Sequence, residues 1–215
     1  MDWLIMMTDK SLPKLKDIVS VIKQSASLFT DQQDPHTDRL SIIINSVLPS
    51  IRGNIIEIGA GFGVGTQKLA AIAERHDVNV TVIDPFESGW DEMPESYGKP
   101  YPFEKFKQNL KPFLESRTVS VIQENSNHPE LYHQLEKNKP YVAAFVDGLQ
   151  YADHLLGDIN LMAQLDVTII CLDDMNRLTN FSQTPLAVVN FLENNNDYQV
   201  VYNNQREIYL VKKTI

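Results

Sequence analysis

An apolar run breaks into glycines at Ile55-Ile56-Glu57-Ile58-Gly59-Ala60-Gly61-Phe62-Gly63-Val64-Gly65, with a carboxylate just before the break. Glycines in such a turn let the backbone bend sharply and approach a ligand that a Cβ would exclude. The dinucleotide fingerprint needs a further glycine where this chain has Val64, and no Gly-Lys-Ser/Thr follows to make a phosphate loop. Glu57 would repel pyrophosphate and suits a cationic ligand. Further on, Val80-Thr81-Val82-Ile83 ends in Asp84, the place for a carboxylate that accepts hydrogen bonds from ribose hydroxyls. Together these residues ask for a nucleoside that lacks phosphates and carries a positive group.

Two more apolar runs end in acids, Phe145-Val146-Asp147-Gly148 and Cys171-Leu172-Asp173-Asp174. On neighbouring strands their ends would lie roughly 5 Å apart. Carboxylates that close repel unless a cation or a proton sits between them. A hard divalent ion with oxygen ligands, Mg²⁺ keeping some waters, would satisfy Asp147, Asp173 and Asp174. The alternative is that Asp147 and Asp174 cap the helices after them, which leaves Asp173 without a role.

Glu57-x-Gly59-x-Gly61-x-Gly63 resembles the first motif of class I S-adenosylmethionine-dependent methyltransferases, and Asp84 matches their ribose acid. The resemblance runs from the second helix through the closing hairpin. It implies a doubly wound, Rossmann-like α/β sheet in the order 3-2-1-4-5-7-6. It also implies a cofactor site made of Glu57, Gly59, Ala60, Gly61, Gly63, Asp84 and Phe86. Asn125 and Ser126 would contact adenine, although Glu124-Asn125-Ser126 read alone could equally be a helix cap. Within that family the chain is most similar to the metal-dependent O-methyltransferases of the macrocin and cephalosporin-pathway type. There a strand ends Asp-Gly-x-His-x-Tyr, with a further acid and a later acidic pair. The corresponding residues here are Asp147-Gly148-Leu149-Gln150-Tyr151-Ala152, then Asp158, then Asp173-Asp174. By that resemblance Asp147, Asp173 and Asp174 bind metal, and Asp147 also faces the methionine amino group. The catalytic set would be Asp147, Gln150 and His154. The chain departs from the pattern at Gln150, which replaces the family's base and cannot accept a proton at neutral pH. Its tyrosine is displaced to Tyr151. His154 lies one helical turn beyond Gln150 and could replace the base; a solvated helix-face histidine is the competing reading.

The elements that must position these groups emerge from periodicity. Short apolar runs at 54–58, 78–83, 118–123, 141–146 and 167–172 read as strands, and 198–202 with 207–211 as a closing hairpin. Helical spacing fills 65–75, 103–114, 129–135, 152–161 and 185–193, the alternation of βαβ units and a mainly parallel sheet. Before them come an amphipathic helix over 12–28 and a second carrying Leu40, Ile43, Ile44, Val47 and Leu48. The expected organisation is therefore one domain: a helical segment, 1–50, packed on a core, 51–215. The connection over 86–102 is long and rich in aromatic residues and proline. It reads as a lid or substrate wall, or else as an irregular structural loop.

The formal net charge of −9, with no clustered Lys and Arg, argues against a nucleic acid partner. No run is long enough to span a bilayer, and the short apolar stretch near the N-terminus lacks the flanks of a signal peptide. Cys171 is the single cysteine and sits in an apolar run, which fits a buried strand residue and a reducing, cytoplasmic setting. The expected partner is a small-molecule acceptor, while the first helix could pack on a second copy of the chain, making a homo-oligomer, as easily as on its own core. Three functions compete. They are S-adenosylmethionine-dependent O-methylation of a sugar or phenol, a catalytically silent cofactor-binding interaction module, and an NAD-dependent oxidoreductase. Val64 and Glu57 disfavour the last.

Overall fold

The computed structural model describes residues 15–26, 37–87, 101–149, 151–173, 184–204 and 206–214. Two helices, α1 (Leu15–Ala26) and α2 (Asp38–Val47), lead into β1 (Asn54–Ile58). Then come α3 (Val64–His76), β2 (Val80–Ile83), α4 (Phe103–Glu115), β3 (Val119–Ile122), α5 (Leu131–Leu135) and β4 (Tyr141–Val146). The chain continues through α6 (Ala152–Gln164), β5 (Ile169–Leu172), α7 (Thr184–Asn194), β6 (Tyr198–Asn203) and β7 (Ile208–Lys212).

The strands form one sheet in the order β3-β2-β1-β4-β5-β7-β6, as expected. Pairing is parallel from β3 through β5, and β7 runs antiparallel to both β5 and β6. The central strands are buried throughout β2, β4 and β5, which is why they read as continuous Val, Ile, Ala and Leu runs instead of alternating ones. Helices cover both faces. Ile18 and Ile22 of α1, Leu40, Ile43 and Ile44 of α2, Leu69 of α3 and Phe106 of α4 pack with Ile55, Val142 and Ile169 on one side. Leu131, Leu155, Ile159, Met162 and Phe191, from α5, α6 and α7, pack with Ile56, Ala144 and Ile170 on the other.

The chain winds outward from β1 to β3, then returns to lay β4 on the opposite side of β1. That reversal leaves a crevice at the C-terminal ends of β1 and β4, where ligands bind in sheets of this kind. Two strands, β2 and β5, begin two residues later than periodicity suggests. Val78 and Val167 each donate their backbone N–H to the preceding helix, to the carbonyls of Ala73 and Met162. Left-handed Asp77 and Asp166 make the turns, so these valines close helix ends before the strands start. Among the described residues, no helix is long and apolar enough to cross a membrane.

Candidate functional site

The glycine-rich turn joins the end of β1 to α3, and three of its residues are in the left-handed region: Gly59, Gly61 and Gly63. At Gly59 a Cβ would collide with the carbonyl group of Asp147, because the ends of β1 and β4 are clamped there; Asp147 N–H donates to the Ile58 carbonyl at 2.8 Å. Gly61 is different. A Cβ there would have the Tyr101 ring as its nearest neighbour among the described residues, at an ordinary 3.8 Å.

Asp84 holds the turn. Its Oδ2 accepts from the N–H groups of Ala60 (2.8 Å) and Gly61 (3.1 Å), and its Oδ1 from that of Phe86 (2.6 Å). Burial raises the Asp84 pKa, and these three donors pull it back. A carboxylate offers about four lone-pair sites, so one remains on Oδ1. The amides that would cradle a phosphate in a nucleotide-binding turn are here directed at a carboxylate.

Glu57 lies on the α2–α3 side of β1 and is shut beneath the turn, with its Oε1 where a Cβ on Gly65 would collide. Desolvation lifts its pKa to about 8; nearby Thr66 lowers it and Asp84 adds to the rise. It is thus a buried, largely protonated acid that supports the turn from below. The Phe86 ring is also turned away from the crevice. It packs between Phe103 and Phe106, with centroids at 4.8 and 5.0 Å, so Phe86 reaches the site only through its backbone.

Asn125 and Ser126 do not cap α5, whose N-cap residue is Glu130. Asn125 Oδ1 accepts from Asn127 N–H (3.1 Å), a local Asx turn. Ser126 points at Asp158, whose carboxyl lies on the sheet-facing side of α6 beside Gly148. Burial pushes Asp158 up to about 7, with Ser126 favouring its charged form. Asp158 carried no assigned role in the sequence. An acid on the stripe of Leu155, Ile159 and Met162 is nevertheless a readable anomaly, since that stripe is the buried one. His154 Nδ1 lies 2.6 Å from Asn127 Nδ2. The contact engages the Nδ1 side of the imidazole with the Asn127 amide. That arrangement fixes the β3–α5 loop against α6.

The fourth and fifth strands bring Asp147 and Asp173 together at the crevice, one residue past the paired Val146 and Leu172. Asp147 does not cap α6, which starts at Tyr151 without a side-chain cap. Asp173 is fully buried, and the Arg206 guanidinium from the β6–β7 turn forms an ion pair with it at 3.6 Å. Gln150 and Asp174 lie outside the described residues, as do residues 88–100 of the long connection. Among the described residues no three His, Cys, Asp or Glu side chains gather as a metal-binding group. With Asp174 outside the described residues, Asp147 and Asp173 are the two members of the expected metal set that the structure brings together, and the Arg206 guanidinium sits beside the second. The part of the long connection that is described puts Tyr101 edge-on to Phe62, with centroids 4.8 Å apart, and both rings are exposed.

No protein-family profile and no curated protein matches the sequence. Solved structures do match. An O-methyltransferase from Bacillus cereus in complex with SAH is similar over 94% of this chain and 93% of its own, with 17% identity and a TM-score of 0.54. A TDP-rhamnose 3'-O-methyltransferase of calicheamicin biosynthesis covers 94% and 96%, with 14% identity and a TM-score of 0.54. A methyltransferase of the mycinamycin pathway, in complex with Mg, SAH and mycinamycin VI, aligns with 95% of this chain at 13% identity and a TM-score of 0.54; the chain spans 56% of its length. At these identities the likeness speaks for architecture, and with the strand order and the glycine turn it gives one result: the chain has the class I methyltransferase fold.

Proposed function

We propose that the chain is an S-adenosylmethionine-dependent O-methyltransferase acting on a small hydroxylated acceptor, a sugar or a phenol. The observation that carries this reading is the grip of Asp84 on the turn. With the Ala60 and Gly61 N–H groups given to the Asp84 carboxylate, the crevice disfavours a pyrophosphate and suits a phosphate-free nucleoside. That also disfavours a nicotinamide dinucleotide. The lone-pair site left on Asp84 Oδ1 suits a ribose hydroxyl, and Gly61 leaves room for close approach.

When bound, the cofactor supplies a methyl group already activated by its sulfonium. The protein's work is then to align the acceptor oxygen with that carbon and to take the hydroxyl proton. Asp147, half-buried at the crevice, is the carboxylate placed to attract the ammonium end or to receive that proton. Exposed Phe62 and Tyr101 offer aromatic faces to a sugar or a phenol ring. The test is methyl transfer from labelled S-adenosylmethionine to panels of phenols and sugars, each run with and without chelator. Turnover lost on chelation would support a divalent ion at Asp147 and Asp173, and turnover that survives it would support a metal-free route. Failure to bind S-adenosylmethionine or its demethylated product by calorimetry would overturn the reading.

A silent cofactor-binding module is the second reading, favoured by the commitment of His154 Nδ1 to Asn127 and by Gln150 in place of a base. It predicts normal binding and no turnover on any acceptor.

A further inference from the structure

Helix α2 begins with Thr37, Asp38 and Arg39, whose side chains leave in different directions because successive residues of a helix stand about 100° apart. Thr37, the N-cap residue, is 1% exposed and makes no side-chain cap hydrogen bond among the described residues, the usual work of a threonine there. Its methyl group is pressed against the glycine turn instead. Thr37 Cγ2 and Glu57 Oε1 each lie 2.9 Å from the point that a Cβ on Gly65 would occupy. The Gly65 backbone is not left-handed, so a side chain is excluded there by the seating of α2 and by Glu57. Asp38 forms an ion pair with Lys68 of α3. Arg39 reaches Glu207, where the two make a fully buried ion pair.

Glu207 belongs to the β6–β7 turn, and that turn is internally braced. Asn204 Oδ1 accepts from the N–H groups of Arg206 (2.8 Å) and Glu207 (2.6 Å), and Asn204 N–H donates to the Glu207 carbonyl at 3.1 Å. Holding Glu207 therefore also holds its neighbour Arg206, whose guanidinium pairs with Asp173 at the crevice. The first turn of α2 thus supports the glycine turn at the end of β1 and, two strands away, the wall that carries Asp173.

We propose that Thr37, Asp38 and Arg39 are positioning residues: they form a clasp between the glycine turn and the β6–β7 turn, so that the cofactor binds only while α2 is seated and its binding tightens the hold on Glu207 and Arg206. The clasp rests on the S-adenosylmethionine reading above. Lifting α2 would take Thr37 from beneath Gly65 and admit water to Glu57. That carboxyl, kept protonated by burial, would then ionise near Asp84, whose bonds to Ala60 and Gly61 shape the turn. A ligand that binds the seated form alone suppresses the lifted form by a factor of one plus the ratio of its concentration to Kd. Cys171 reports on the far end of the clasp, since it is fully buried on β5 beside Arg39, Glu207 and Tyr209.

The test follows Cys171 labelling by a disulfide reagent in the wild type, against urea and against S-adenosylhomocysteine. Calorimetry supplies the affinity, and hydrogen exchange follows the amides of α2. The reagent is kept dilute, so that reclosing outpaces reaction. Labelling should rise with urea less steeply than global unfolding does, the mark of a partial opening. At about 100 times Kd, S-adenosylhomocysteine should slow both labelling and α2 exchange about hundredfold. Thr37→Ala, which removes a buried methyl group at the glycine turn, should speed labelling of the distant thiol roughly five- to tenfold. Labelling that ignores a ligand shown to bind, or that is no faster in Thr37→Ala, overturns the clasp and leaves the cofactor reading standing. A urea slope equal to that of global unfolding also overturns it, because α2 would then leave only with the sheet. If calorimetry finds no binding, the cofactor reading falls and the clasp with it.

Discussion

Two buried acids, Glu57 and Asp158, have lost their water, and burial raises the pKa of both. For Glu57 that loss ties stability to pH. In the unfolded chain it titrates near the ordinary value of 4.5, and in the folded protein near about 8. Between those values the native state holds a proton that the unfolded state has released, so folding weakens as pH rises. Below pH 4.5 the contribution of Glu57 is fully present; as pH climbs toward about 8 it is lost. Glu57→Gln keeps the shape and removes the titration. The expected result is a thermal midpoint that declines less steeply between pH 5 and 8 than the wild type's, measured by circular dichroism without ligand. Parallel profiles for the two proteins would show that Glu57 does not titrate in that window.

At the scale of elements, the turn between β1 and α3 makes two demands on glycine, and they can be separated. A Cβ at Gly59 meets backbone, the Asp147 carbonyl, which cannot swing aside as a side chain would. Gly59→Ala should therefore cost roughly 2–5 kcal/mol, combining overpacking with left-handed strain. Among the described residues, the nearest neighbour of a Cβ in Gly61→Ala is the Tyr101 ring at ordinary contact distance. It should cost about 1 kcal/mol in stability, the strain alone, while weakening cofactor binding more. Urea unfolding with calorimetry on both variants checks the contrast, and equal losses of stability would refute it. Much of this level was legible in the sequence. The run from Ile55 to Gly65 announces a strand, a turn and a helix, and the strand order came from the resemblance that this run carries. What stayed hidden depends on contacts between distant segments. Asp77 and Asp166 end helices in a conformation that usually calls for glycine, so nothing local warned that Val78 and Val167 belong to helix ends. Phe86 comes closely enough after the ribose acid to seem a ligand contact, yet its left-handed backbone sends the ring into the cluster with Phe103 and Phe106. Arg206 lies in a hairpin turn, and only folding brings it to Asp173.

The whole molecule is tied end to end on the face where α1 and α2 pack. Arg39 of α2 makes a fully buried ion pair with Glu207, just before β7, and its guanidinium lies 5.1 Å from the Tyr202 ring centroid. Tyr209 O–H donates to the same Glu207 carboxylate at 3.3 Å. Cys171, on the adjacent strand, is buried among these groups; burial pushes its thiol well above the usual range, and Glu207 adds to the rise. Removing one partner of a buried pair leaves an uncompensated charge and costs about 3–5 kcal/mol, whereas replacing both with apolar residues is often neutral. Because Cys171 is the only cysteine, its reaction with a disulfide reagent reports opening of this face without interference. In the native protein the thiol should react slowly, since it is neither exposed nor ionised. Arg39→Ala should lower stability by about 3–5 kcal/mol and raise the labelling rate by orders of magnitude. The Arg39→Met, Glu207→Leu double variant should restore most of both. If Arg39→Ala labels no faster than the wild type, this pair does not join the N-terminal helices to the closing hairpin. If labelling rises while urea stability holds, α1 and α2 open as a unit separate from the sheet.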